Sequence, residues 1–434
     1  MLPKFPMLLQ IGSENLTGLI SFFESSVNPN PSQPPAKPKR ISRNVWALGW
    51  VSFFGDLASE MLYPILPLFL VGTLGASPAL LGFIEGLAEG VSSGLRWVGG
   101  ALSDRYARRK PFVVWGYLLG ALSKPIMGLA AVFGGWPIFL LGRLSDRFGK
   151  TIRTAARDAL IADSTEPEYR GIAFGFHRTM DTCGAILGPL VALAAITIWK
   201  DFPLQWLFFI ALVPGLICTL ISALAVREVM HHPSSKPTGT VTGAQAFPKE
   251  FWLLLVGFGI FAVGNSSDSF LLLRTREIGL TFQQVILAYA VYNVIFAFTA
   301  TPLGHLSDRI GRKPVIIAGW CIYAMVYAGF GFFHSTLAPW FLLASYGLYQ
   351  ALTDGVGKAM ISDVAPAGRR AAAMGIFSSV SGLGQFAASM IAGMAWKLNV
   401  FGGRMMVPFL VGSICAAAAI PVVASVRMRA TVKN

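Results

Sequence analysis

The 434-residue sequence predicts an all-α membrane fold, with twelve transmembrane helices set as two pseudo-symmetric six-helix bundles. Three observations lead there. Hydrophobic residues make up 54% of the chain and charged ones 13%, against roughly 45–50% apolar content in a soluble domain. Mean hydropathy is +0.60, so hydrocarbon is the natural solvent for most of the chain. Apolar runs that satisfy a window of about 19 residues recur along its whole length. Finally, the segment from Gly100 to Pro111, carrying Asp104, Arg105, Arg109 and Lys110, returns from Gly304 to Pro314 with Asp308, Arg309, Arg312 and Lys313. In each copy a short basic loop joins two long apolar runs, as where a pair of membrane helices turns at the cytoplasmic face.

Taken in order, residues 1–43 form a cytoplasmic tail. Pro3, Pro6, Gly12 and Glu14 interrupt its apolar stretch too early for a cleavable signal, and residues 28–43 are Pro-rich, basic and expected to be disordered. Spans follow at 45–71, 80–102, 111–133, 136–162, 170–198 and 203–226, which places an N-terminal bundle at 44–226. The segment 227–250, rich in Pro, Ser, Gly and Thr, reads as a cytoplasmic linker. Spans at 251–273, 283–306, 314–334, 338–362, 370–396 and 405–426 make the C-terminal bundle, 251–434. The loops and ends on the tail side hold 21 Lys and Arg, whereas the other side holds Lys200, Arg274, Arg276, Lys397 and Arg404. The positive-inside rule therefore puts both termini in the cytoplasm. The net charge of +14 is a topology signal of this kind rather than a nucleic-acid surface.

Chemistry of other classes finds little support. Cys183, Cys218, Cys321 and Cys415 lie far apart inside apolar runs, without metal-site spacing. The segment Gly257–Ala262 imitates a dinucleotide fingerprint but sits within an apolar span with no strand before it, and Asn15 to Thr17 fits a glycosylation acceptor only in a cytoplasmic tail. No catalytic triad, Walker loop or zinc spacing appears, so the chain is not expected to be an enzyme or to carry a cofactor.

The repeat extends past the loops. Arg157, Asp158, Asp163, Arg170, Gly175 and Gly184 match Gly357, Lys358, Asp363, Arg370, Gly375 and Gly384 without a gap. The loop pattern G-x-L-x-D-R-x-G-R-R/K is met at Gly304 to Lys313 and again at Gly100 to Lys110, where Ala107 replaces the usual glycine. On these residues the chain resembles the major facilitator superfamily over residues 45 to 427. That resemblance implies a monomeric secondary transporter in which spans 1, 4, 7 and 10 line a central cavity and spans 2, 5, 8 and 11 join the bundles. It implies that Asp104, Arg105, Arg109, Asp308, Arg309 and Arg312 gate the cytoplasmic side. Gly184 to Pro189 resembles the G-x-x-x-G-P motif of the family's antiporters, with Ala192 where a further glycine is usual; read plainly, it is also a close-packing and kink site. Span 2 carries Gly82, Gly86, Gly90 and Gly94 in register, a groove without side chains that another helix can approach closely, and the resemblance implies that this helix is span 11.

The first half is dense in intramembrane charge. Asp56, Glu60, Glu85, Glu89, Asp146, Asp158 and Asp181 face Arg96, Lys124, Arg143, Arg147, Lys150, Arg153, Arg157 and Arg178. Facing lipid, each would cost about 2.5–3.5 kcal/mol at mid-membrane, so they must line water or one another. In span 4, Arg143, Asp146, Arg147, Lys150 and Arg157 recur at three- and four-residue steps, a polar stripe on an otherwise apolar helix. The stripe either satisfies acids of spans 1, 2 and 5 or leaves Arg143, Arg147 or Lys150 to attract an anionic group. By depth, Asp56, Glu60, Glu89, Lys124 and Lys150 share a layer, at about 1.5 Å rise per residue. Asp56 with Glu60 and Glu85 with Glu89 are acid pairs suited to carrying protons, or else are held ionised by neighbouring bases. His177 and Asp181 share a face of span 5, where the histidine either shuttles protons or simply hydrogen-bonds. In the second half Asn265, Asp268, Tyr289, Tyr292, Asn293, Tyr346, Tyr349 and Gln350 form an aromatic, hydrogen-bonding wall, with Asp354 and Lys358 as an i,i+4 pair. The expected activity is proton-coupled export of a small organic compound across a bacterial inner membrane; the alternative is import of an anionic metabolite with protons.

Overall fold

The computed structural model describes residues 41–94, 108–166, 169–199, 202–229, 246–366, 369–400 and 405–426. The tail, most of the linker, Arg96, Asp104 and Arg105 lie outside the described residues, as do Lys200 and Arg404. In the first half α1 (Arg43–Glu60) is followed by the single turn α2 (Leu66–Leu68), then α3 (Pro78–Gly94), α4 (Lys110–Phe133), α5 (Trp136–Asp163), α6 (Arg170–Ile198) and α7 (Gln205–Leu224). The second half holds α8 (Lys249–Gly264), α9 (Ser269–Glu277), α10 (Phe282–Ile310), α11 (Arg312–Phe332), α12 (Ala338–Val364), α13 (Arg370–Met394) and α14 (Val407–Ser425). Two-residue strands, β1 (Asn399–Val400) and β2 (Met405–Met406), pair antiparallel just before α14, a detail the apolar pattern does not signal.

Local chemistry marks the helix ends. Thr281 and Gln284 close a capping box on α10, each accepting from the other's backbone at 3.2 and 2.8 Å. Glu228 accepts from the Arg109 and Lys110 amides at 2.9 and 3.0 Å, placing a carboxylate on the amide end of α4. In the second half Lys313 donates to the carbonyls of Ala424 and Val426 at the end of α14, at 2.7 and 3.0 Å.

Spans 1 and 7 are expected to be continuous, and both are broken. The first opens over residues 61–65, where Pro64 withholds a backbone donor; it resumes at α2 and ends in a wider turn, with Leu74 N donating to Phe69 O at 3.0 Å. The second unwinds at Asn265–Asp268, where Asn and Ser side chains compete with the helical ladder. The two breaks fall at equivalent places in the repeat, and both face the interior.

Helix pairings also repeat. In the first half α4 packs on α5 and α7, and α1 packs on α6 and α7. In the second half α11 packs on α12 and α14, and α8 on α13 and α14. Contacts between the halves run through α3 with α13, α6 with α10, and α2 with α9. At the first of these a Cβ on Gly82 would strike the Ser389 carbonyl, and one on Gly86 would lie 3.0 Å from the Phe386 carbonyl. At Gly90 the approach is looser, 3.8 Å to Phe386 Cβ, and it tightens again where a Cβ on Gly382 would strike Ser93.

Eight stretches among the described helices are long and apolar enough to cross a membrane. The long helices outside that set, α1, α3, α5 and α12, are those that carry Asp56 and Glu60, Glu85 and Glu89, the cationic stripe, and Asp354 with Lys358. Their polarity has a destination.

Candidate functional site

Where the broken helices α1 and α8–α9 meet α3, α5, α6, α10 and α12, they enclose a cavity of about 360 Å³. Of the residues singled out from sequence, Asp56, Glu60, Glu85, Glu89, Arg147, Lys150, Asp181, Asn265, Asp268, Tyr289, Asn293, Tyr346 and Gln350 line it together. Lys124, Arg143 and Asp146 do not; they sit behind α1 around a smaller chamber of about 90 Å³. His177 lines neither: it is buried on α6, and its Nε2 has no partner among the described residues. Its expected place in the cavity is therefore corrected, because the helix rotation that brings Asp181 inward does not bring the residue one turn earlier with it.

Pairing among the acids is selective. Glu85 forms a two-pronged ion pair with Arg143, Nε to Oε1 at 2.9 Å and Nη2 to Oε2 at 2.7 Å, with both side chains 4% exposed. Asp146 continues this network to Lys124 at 3.2 Å and Arg143 at 3.8 Å, so Glu85 meets a guanidinium in a buried ion network rather than standing with Glu89 as an isolated acid pair. Glu60 instead accepts the Tyr289 hydroxyl at 2.7 Å, a bond from α1 to α10 across the two halves. Asp181 accepts from Ser52 at 2.6 Å and pairs with Arg178 at 3.3 Å. The Asp56 carboxyl faces Asp181 on the wall of the cavity. Of the span 4 cations, Arg143 is consumed, whereas Arg147 and Lys150 take part in no ion pair among the described residues.

The opposite wall is made of tyrosines. Tyr63, in the break after α1, stacks on Tyr289 at 5.3 Å, and the contacts continue through Tyr292, Tyr346 and Tyr349 to Tyr323 and Tyr327. Tyr346 donates to Asp268 at 2.7 Å, and Lys358 holds Asp354 at 2.6 Å. Sequence reasoning missed Tyr63, Tyr323 and Tyr327, while Ser267 lines the cavity as its place beside Asn265 and Asp268 in span 7 led one to expect. Tyr63 carried a usable signal, lying one turn beyond Glu60 and next to Pro64.

The cavity opens to one side. A neighbouring space of about 440 Å³ shares Arg178, Phe296, Gln350 and Asp354 with it and reaches His305 and Asp308 at the end of α10. Gly171, Gly175, Gly304, Gly355 and Gly375, at the same end, have open space where a Cβ would stand. There Arg109 pairs with Asp163 at 2.8 Å and Arg312 with Asp363 at 2.8 Å, equivalent bonds in the two repeats, and Asp308 lies 3.8 Å from Arg312. Arg309 is exposed at that end. The other end is shut by Tyr63 on Tyr289, by Gly82 against Ser389 and by Gly393 against the Pro78 carbonyl.

A helical protein with eight described stretches apolar enough to cross a membrane and a polar cavity open to one face has the form of a transporter. The chain belongs to the Major Facilitator Superfamily, whose family model matches residues 48–274 and 253–433. It is 38% identical over 384 residues to an uncharacterised MFS-type transporter of Methanocaldococcus jannaschii, covering 87% of this chain and 93% of the relative. It is 24% identical to the multidrug resistance protein MdtH of Proteus mirabilis, over 82% of this chain and 87% of that one. Among solved structures it is similar to a D-xylose–proton symporter, with a TM-score of 0.72 at 17% identity over 90% of this chain and 98% of the other. The protein is thus a multi-pass membrane transporter.

Proposed function

We propose that the protein is a proton-driven antiporter that exports a small organic compound by alternating access. The observation that carries the reading is the acid cluster on α1: Glu60 bound to Tyr289 of the other half, and Asp56 against Asp181, all on the wall of a cavity open to one face. Twelve spans form two bundles, residues 44–226 and 251–434, joined by a linker at 227–250, and these rock about the cavity as a monomer. The open face, which carries Arg109, Asp163, Asp308 and Arg312, is the cytoplasmic one, in the inner membrane of a bacterium or the equivalent membrane of an archaeon.

In the open state substrate enters between the tyrosine wall and α1. Its binding displaces the Glu60 proton to the open face and takes the place of the Tyr289 hydroxyl, which frees the far end to open; there an incoming proton takes the carboxylate back and releases the substrate. Asp56 and Asp181, facing one another on the cavity wall, relay the proton to whichever face the cavity meets. The similarity to a multidrug resistance protein accords with this reading.

Proteoliposomes with an acidic interior and an internal pH dye test it. Addition of a compound from a panel of organic cations, sugars and nucleosides should release protons in the wild type, and Glu60→Gln should abolish release while retaining compound binding. Proton release of wild-type size from that variant would reject the mechanism. A second reading, import of an anionic metabolite with protons, is favoured by Arg147 and Lys150, which enter no ion pair among the described residues. In that case Arg147→Gln and Lys150→Gln should each raise the apparent Kd for organic anions at least tenfold.

A further inference from the structure

Charge in the main cavity is not evenly answered. The bases that line it among the described residues, Arg147, Lys150 and Arg178, stand on α5 and α6 and meet acids there: Lys150 faces Asp56 and Glu89, Arg147 faces Glu60, and Arg178 pairs with Asp181. Glu85 is held by Arg143, and Asp354 by Lys358. Asp268, in the break between α8 and α9, has no such partner. It enters no ion pair among the described residues, and the charges that bear on it most strongly are the acids Glu60, Glu85 and Glu89. Its Oδ1 accepts the Tyr346 hydroxyl at 2.7 Å, whereas Oδ2 takes no hydrogen bond among the described residues. Unlike the sealed Asn265 Oδ1 close by, that oxygen keeps surface on the cavity.

Tyrosines surround this carboxylate. Asp268 is the charge that bears most on Tyr63, Tyr292, Tyr346 and Tyr349, which come from the break after α1, from α10 and from α12. The Tyr346 ring centre lies 5.7 Å from that of Tyr292 and 5.0 Å from that of Tyr349. A carboxylate among aromatic rings and answered by no base suits an ammonium, which gains a charge-assisted bond and cation–π attraction together. The rest of the wall says what carries the ammonium. Of the lining residues only Ala185, Phe296 and Ala297 lack a polar side-chain group, where sites for organic ligands are mostly apolar. Asn265, Asn293, Gln350 and Gln385 offer amides that both donate and accept, as hydroxyl groups require. We propose that the cavity takes a hydrophilic monoamine, one ammonium on a hydroxylated frame, with the ammonium held at Asp268 Oδ2 and the hydroxyls at these amides. The proposal rests on the reading of this cavity as the site of the exported compound and names its class. A cation at Asp268 also bears on Glu60, and so favours departure of the proton that the exchange displaces.

The full chain in detergent is titrated at fixed pH and ionic strength with glucosamine, galactosamine and glucamine, and with their uncharged counterparts glucose, galactose and sorbitol, while its thermal midpoint is followed. Each amine should stabilise saturably and bind at least about tenfold more tightly than its counterpart, a factor within the reach of one hydrogen bond to a charged group. Asp268→Asn should remove that preference, and tetraphenylphosphonium, a cation without hydroxyls, should bind more weakly than the amines. Amines that do not stabilise, counterparts that bind as well, an undiminished preference in Asp268→Asn, or tetraphenylphosphonium binding more tightly than every amine would overturn the assignment. Should Asp268→Asn fail to fold, the matched pairs on the wild type decide alone. Proton exchange is judged separately, in proteoliposomes: an amine preference without proton release upholds the substrate class and removes the antiport, and proton release driven equally by the neutral counterparts does the reverse.

Discussion

Glu60 and Glu85 are acids of the same kind on neighbouring broken and unbroken helices, yet their surroundings give them different work. Glu85 is enclosed with Arg143, so Glu85→Gln strands a buried guanidinium; we expect a loss of about 3–5 kcal/mol, read from chemical denaturation in detergent. The double variant Glu85→Leu with Arg143→Met should recover most of that loss, since it leaves no unpaired charge. Glu60→Gln, which still offers Tyr289 an acceptor, should melt within about 1 kcal/mol of wild type while losing proton release. Equal destabilisation of the two single variants would contradict this division. The sequence made the charged residues legible because each stands out against an apolar span. It did not say which acid meets which base, since that depends on the rotation of α3 against α5 and of α1 against α6. His177 shows the limit: its spacing from Asp181 suits a common face, but only Asp181 reaches the cavity. Tyr63 shows the converse, a cavity residue hidden because nothing in a span's periodicity marks a turn inside it.

Among the elements, the eight helices apolar enough to cross a membrane were readable to within a few residues, because length and apolarity dictate them. The interruptions were not, because a window of about 19 residues averages across Pro64 and across Asn265 to Asp268. The glycine register of α3 was readable as a groove and is used as one only in part. Gly82→Val drives a side chain into the Ser389 carbonyl and should abolish transport by propping α3 from α13. Gly90→Ala, at ordinary van der Waals distance from Phe386, should retain at least half of wild-type flux. Similar activity in the two, measured in the same proteoliposomes, would show that this contact does not need to close.

On the scale of the molecule, orientation is open to direct measurement. In a cysteine-free background, Gly355→Cys stands in open space beside Asp308 and should react with a membrane-impermeant maleimide in inside-out vesicles but not in right-side-out ones. The opposite pattern would place the open face outside. Charge and aromaticity are also divided between the halves: the ion network belongs to α1, α3, α4, α5 and α6, while all but one of the clustered tyrosines belong to α10, α11 and α12. On the proposed mechanism, energy input and cargo choice reside on separate stretches of one polypeptide. A chimera that keeps this amino-terminal portion and borrows its carboxy-terminal portion from a relative should change what is carried and leave its driving force as it was.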